Sequence, residues 1–343
     1  MLRRVRDARG ELGSVGILFA VALLALAAGL ASVSVYVARS LDYGRRVEER
    51  EVLRRRLRAA ADELVALIAA DESPESDGPR DRVWSALDLD ADGVELRLRE
   101  LSSRLNANLV PVDLLEKTEL RRLLAPGSSP ADLAALREEK GLSIELGRYG
   151  ALLRGDSLDS WTCFGWANAN IADPGPLRSL YESSCGDAAA ADSFSLRVAA
   201  ARSLHRVIDR EGLDDLLGCA RAEACPVICV AAPHNVNFLP EPILRAILSY
   251  PPLGLPEPAA RAGEIAAARE RRDLSEADLA ALVGAPAGDG VRPLALQYLG
   301  VRSWFWEVEA EAGGRVCRLV AAVWPDEAGK ARRLSLVESR FEP

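Results

Sequence analysis

The polar and apolar positions of this chain fall into three regimes. Residues 14–38, SVGILFAVALLALAAGLASVSVYVA, carry no charge and are long enough to cross a bilayer core as one helix. From residue 41 to 70 the chain turns charged. Leu53, Leu57, Ala60, Leu64 and Leu67 recur there at spacings of three and four, one face of a helix, with arginines and glutamates opposite. No proline interrupts residues 14–73, so the two segments predict one helix of roughly 90 Å at ~1.5 Å per residue. Residues 71–81, DESPESDGPRD, read as a linker. Beyond them Val94, Leu96 and Leu98 alternate with charged residues, which predicts a strand.

At Asn106 a motif begins, NANLVPVDLL, and it returns at Asn235 as NVNFLPEPIL. Asn106 aligns with Asn235, Asn108 with Asn237 and Pro111 with Pro240, and an apolar helical stretch follows each copy. Asparagine forms turns and N-caps, and proline is tolerated in a first helical turn, so the motif reads as helix initiation and a signature of the fold. Further helices are expected over 130–139, 196–217, 259–272 and 275–283, the last opened by a capping-box-like Ser275 and Asp278. Residues 161–192 are rich in Gly, Asn, Ser and Cys and read as a loop held by Cys163 and Cys185. The chain ends in strands: 299–310, 315–324 and 332–341, joined by turns. Strands on both sides of a helical block predict an α+β fold, with a long N-terminal helix, a small antiparallel sheet and a large helical domain inserted between strands. The expected division is a leader (1–13), a span (14–38), its amphipathic continuation (39–75), the first part of an α+β domain (80–110), the inserted block (111–292) and the closing strands (293–343).

Composition narrows the function. Of 343 residues 49% are apolar, enough for a true core, and the net charge of −8 argues against nucleic-acid binding. Arginines 3, 4, 6 and 9 precede the span, which predicts a cytoplasmic N-terminus and a translocated body. All six cysteines, Cys163, Cys185, Cys219, Cys225, Cys229 and Cys317, follow the span. That compartment favours disulfides, with fifteen possible pairings. Only His205 and His234 exist, and no G-x-S-x-G, P-loop or H-E-x-x-H motif occurs. Paired acids such as Asp214 and Asp215 read as solvated helix faces. A membrane-anchored extracytoplasmic enzyme is thus a weak rival.

The leader MLRRVRDARGELG is short and basic, ends in glycine and abuts the apolar run, so it resembles a type IV prepilin signal. Cleavage is expected between Gly13 and Ser14, with Gly10 and Glu11 as the alternative. The fifth mature position is then Leu18, where most pilins carry glutamate. The same leader, the segment from Leu105 to Leu109, Asn235-Val236-Asn237 with its helix, and the late run from Val301 to Val308 together resemble minor pseudopilin K of the type II secretion system. That family lacks the fifth-position glutamate. Glu100 and Ser103 stand roughly where it usually carries Asp and Gly.

The resemblance implies a pilin-like fold with a large helical insertion and a non-enzymatic role at the tip of a pseudopilus, initiating assembly of the piston that expels folded proteins. It implies minor pseudopilins I and J, a major pseudopilin, the inner-membrane assembly platform and prepilin peptidase as partners. It also implies calcium in the globular domain, with no ligand assignable. A single-pass inner-membrane protein with a periplasmic body is the expected location. A minor pilin of a type IV pilus shares the leader and long helix and is the second reading.

Overall fold

The computed structural model describes residues 2–70, 76–85, 87, 93–203, 207–218, 227–284, 293–325 and 332–342. The chain divides into two compact units, Met1–Arg58 and Ala59–Pro343.

Helix α1 runs unbroken over Leu2–Ala69, about 100 Å at 1.5 Å per residue. Its described side chains begin at Phe19. In the first unit the apolar run stays exposed: Phe19, Leu24, Leu30 and Val33 all face outward. It is long and apolar enough to cross a membrane. Two of its serines need no outside partner, since Ser32 donates a 2.9 Å bond back to Ala28 O and Ser34 one of 2.9 Å to Leu30 O. The next turns carry i,i+4 pairs, Arg46 with Asp42 at 2.7 Å and Arg45 with Glu49 at 3.3 Å.

In the second unit the last turns of α1 bury Ala60, Ala61, Leu64 and Ile68. Leu67, expected on that face, is only half-buried, because the face rotates toward Ile68. The linker expected over 71–81 lies partly outside the described residues, and its second half is no linker. Asp77 is buried, its N–H donating to Val301 O at 2.8 Å and its carboxylate accepting Ser303 N at 2.7 Å.

Strand β1 (Glu95–Glu100) leads into three successive units. The first holds β2 (Leu105–Asn106), α2 (Val112–Lys117), α3 (Pro130–Lys140) and β3 (Trp161–Thr162). The second holds β4 (Ala167–Asn168), α4 (Pro174–Cys185), α5 (Ala188–Ser203), α6 (Arg210–Leu217) and β5 (Ile228–Cys229). The third holds β6 (His234–Asn235), α7 (Glu241–Leu248), α8 (Pro258–Arg271), α9 (Glu276–Leu282) and β7 (Leu299–Gly300). Strands β8 (Phe305–Ala312), β9 (Arg315–Pro325) and β10 (Arg332–Glu342) follow.

The sheet is antiparallel in the order β1-β8-β9-β10. Leu98, Val308 and Leu319 share a register line and are buried. The next line carries Arg97, Glu309 and Arg318. There Arg97 and Arg318 each reach Glu309 at 3.0 Å. Burial alone would raise the Glu309 pKa, and the two guanidinium groups bring it below its ordinary value. The alternation expected of a half-buried sheet is present in β1, whereas β8 and β9 bury consecutive positions, Val308 to Ala310 and Leu319 to Val323.

Two sequence expectations need correction. The segment 161–192 is not a loop. Asp173 stands at an N-cap with Pro174 at the first helical position, and Gly186 closes α4 with φ of 68°. Leu177 and Tyr181 supply the buried face. Cys185 ends that helix with a free thiol, so it forms no staple with Cys163. The helix expected over 196–217 is two helices, the second restarted by Asp209, whose carboxylate accepts Gly212 N at 2.8 Å. The capping box of α9 is as expected, with Ser275 and Asp278 bonding reciprocally.

One core serves the first and third units together, from Leu105, Leu114 and Trp161 to Val236, Leu244 and Leu299. The second unit packs its own, around Leu177, Phe194 and Leu217. Trp166, Trp304 and Phe305 join Val320 of the sheet in a third cluster.

Candidate functional site

The Asn-x-Asn motif occurs three times, and each copy builds the same turn. Asn106 Oδ1 accepts Asn108 N at 2.8 Å, Asn168 Oδ1 accepts Asn170 N at 2.8 Å, and Asn235 Oδ1 accepts Asn237 N at 3.0 Å. This is the local side-chain-to-backbone bond that makes asparagine a turn former. The chain then curls so that Val110, Ala172 and Leu239 donate N–H to the carbonyls of Asn106, Asn168 and Asn235. The helices α2, α4 and α7 start from equivalent caps: Pro111, Asp173 and Pro240. Each first asparagine pairs in parallel with the end of its own unit, namely Asn106 with Thr162, Asn168 with Cys229 and Asn235 with Gly300.

The second asparagine of each copy clamps a chain segment by both faces of its amide. Asn108 takes Ser143 N at 2.9 Å and donates to Ser143 O at 2.8 Å and Cys163 O at 2.9 Å. Asn170 takes Ile208 N at 2.7 Å and donates to Ile208 O at 2.9 Å. Asn237 takes Leu274 N at 2.8 Å and donates to Leu274 O at 3.2 Å and Asp77 O at 3.0 Å.

An arginine from the second helix of each unit closes the turn. Arg137 donates to Ala107 O and Val110 O, both at 2.9 Å. Arg202 donates to Ala169 O and Ala172 O, both at 2.8 Å. Arg269 donates to Val236 O at 2.7 Å and to Leu239 O. At Arg137 and Arg202, Nε and Nη2 of the planar fork serve separate carbonyls that a lysine could not serve together, whereas at Arg269 Nη1 alone serves both. Burial brings Arg137 down to about 10, against the pull of Asp173. It lowers Arg202 and Arg269 as well.

Sequence patterning finds the first and third copies and misses the second. The signal was present, since Asn168-Ala169-Asn170-Ile171 parallels Asn106-Ala107-Asn108-Leu109. Asp173 in the place of Pro111 and Pro240 hid it. The six expected signature residues, Asn106, Asn108, Pro111, Asn235, Asn237 and Pro240, all lie in these turns. They are drawn together around two of the three units rather than into one cleft.

The remaining candidates scatter. Gly10, Glu11, Gly13, Ser14 and Leu18 fall within α1 ahead of its first described side chain. Cys219, Cys225 and His205 lie outside the described residues. Cys163 and Cys317 are buried. Cys229 carries a free thiol that burial pushes up to about 12. Asp214 and Asp215 are exposed on α6, as expected. His234 is buried with Nδ1 3.3 Å from Ser102 O, and burial takes its pKa down to about 4, so the ring is neutral. Among the described residues no group of three or more His, Cys, Asp or Glu side chains could hold a metal ion.

Chemically, the asparagines and arginines of the three turns direct most of their hydrogen bonds at the chain's own backbone, with Ser303 Oγ and Gln297 Oε1 as side-chain acceptors of Asn235 and Asn170. The arrangement fixes where helices begin and how the units join. No family model, no curated protein and no solved structure matches this chain.

Proposed function

We propose that this chain is a minor pseudopilin of the K kind, a non-enzymatic subunit at the tip of a type II secretion pseudopilus. The observation that carries the reading is the path of the chain. A long helix with an exposed apolar N-terminal run precedes a small antiparallel sheet, and neighbouring strands β1 and β8 of that sheet are separated in sequence by the whole helical block. In this reading residues 111–292 are an inserted domain, the leader is removed after Gly13, and the body is periplasmic. A body of this bulk is tolerable once at a filament end and would obstruct repeated axial packing. Leu18 offers no buried carboxylate that would need a neighbour's amine.

The test is deletion of the gene and assay of exported proteins in the medium. Export stops and returns with the gene supplied in trans. Unchanged export removes the assignment. A Leu18→Glu variant is neutral or harmful, and improved secretion would argue against a tip position.

A further inference from the structure

The third turn holds a segment from outside its own unit. Asn235 and Asn237 each donate Nδ2 to Asp77 O at 3.0 Å. Asp77 N–H donates to Val301 O at 2.8 Å, and its carboxylate accepts Ser303 N at 2.7 Å. In the second turn Gln297 holds the same place. Asn168 bonds its carbonyl and Asn170 its side chain, both at 2.9 Å. These two turns receive chain that arrives from elsewhere, and what arrives at the third is the segment behind α1.

Asp77 is the first of several fastenings over 77–84. Arg80 donates to Arg269 O and to Asp273, both at 3.0 Å, and to Glu270 O. Trp84 donates Nε1 to Gly78 O at 3.0 Å and sets its ring 5.6 Å from Phe238 and 5.9 Å from Trp306. Gly78 lets the segment lie this close, since a Cβ there would fall on the Asp273 carboxylate that Arg80 holds. Gly78 has no left-handed φ, so its lack of a side chain serves space.

The segment also bears on how α1 is held. The last turns of α1 bury Ala61, Leu64 and Ile68, and Asp77 follows Ala69 by a chain that reaches at most ~28 Å. Without the fastenings the next anchoring strand is β1 at Glu95, and the reach grows to ~90 Å. A longer tether lowers the effective concentration at which the helix end redocks. We propose that residues 77–84 are a strap, closed on the third turn, that keeps the end of α1 docked on the body and frees it when released.

The test is hydrogen exchange of the full chain in detergent micelles, read by mass spectrometry, with Gly78→Val to unseat the strap. Amides of 77–84 and of 60–69 should exchange about five- to tenfold faster than in the parent. Those of Ala107, Leu109 and Val110 in the first unit should be unchanged. A fast strap with an unchanged helix end overturns the proposal, as does no change in either segment. Faster exchange in all three regions also overturns it, since that is general loss of stability. Arg80→Ala removes three fastenings without entering the core, and is read the same way if the valine variant does not fold. It should quicken the same two segments by a smaller factor.

Discussion

Asp173 caps a helix that is not its own: its Oδ2 accepts Val112 N at 3.0 Å, at the start of α2, while it makes no side-chain cap to α4. The same oxygen lies 3.5 Å from Arg137, whose side chain is 3% exposed. One carboxylate thus ties the second unit to the first and faces a buried cation. Burial raises the Asp173 pKa, against the Val112 bond and Arg137. Asp173→Ala is expected to destabilise by about 2–4 kcal/mol, through the lost cap and the uncompensated guanidinium. Asp173→Asn, which keeps an acceptor for Val112, should cost less. Urea unfolding of the full chain in detergent measures both, and an alanine variant as stable as the parent would contradict this role.

The arginine forks are expected to resist conservative replacement. A lysine at position 137 or 202 can serve one carbonyl well and leaves the other short of a donor, and either Arg→Lys change should cost about 1–3 kcal/mol. Arg269 reaches both of its carbonyls through Nη1 alone, so lysine there should cost less. Arg137 and Arg202 both act on Asp173, so their two losses should couple, while the Arg269 loss should add to them within a few tenths of a kcal/mol. A triple variant that unfolds at the parent's urea midpoint would show the forks to be dispensable.

These forks also mark the limit of what the sequence discloses. The span, the amphipathic stretch and the closing strands are legible because period and charge are local properties. The turns at Asn106 and Asn235 are legible because asparagine and proline act within a few residues. Arg137 bonds a carbonyl 30 residues away, and nothing in its local pattern separates it from a solvated arginine. Asp77 sits in a stretch whose composition says linker. It is buried because Asn235, Asn237 and Ser303, 158 to 226 residues onward, close on it. Helix α4 is hidden by small polar residues, which suit loops unless the Asp173-Pro174 start and the Gly186 stop are weighed first.

Acid should weaken the body through His234. Below pH 6.5 the unfolded chain takes up a proton on this imidazole, and the folded chain does not until about pH 4. Its stabilising contribution is therefore complete above pH 6.5 and fades as pH falls toward 4, by up to about 3 kcal/mol. Glu100 works in the other direction. Burial raises its pKa, against bonds from Ser103, Ser303 and Ser102, so its contribution is greatest in acid and fades as pH rises. Comparing the chain with His234→Gln isolates the histidine. The parent should lose more stability than the variant between pH 6.5 and 4, and parallel profiles would contradict the burial of a neutral ring.

Cys229 should resist alkylation. Burial holds its thiol protonated, with a pKa near 12, and the thiolate is the reactive form. Cys185 and Cys229 are both half-buried, so the raised pKa of Cys229 rather than access should make iodoacetamide at pH 8 modify Cys185 of the native chain faster than Cys229. Mass spectrometry of the labelled peptides reads the order, and equal labelling of both would contradict it.

The account rests most heavily on position within an assembly. Pseudopili carrying an epitope on this chain's body can be gold-labelled through that epitope and imaged by electron microscopy. The account predicts one label per filament, at one end. Labels distributed along the shaft would contradict it.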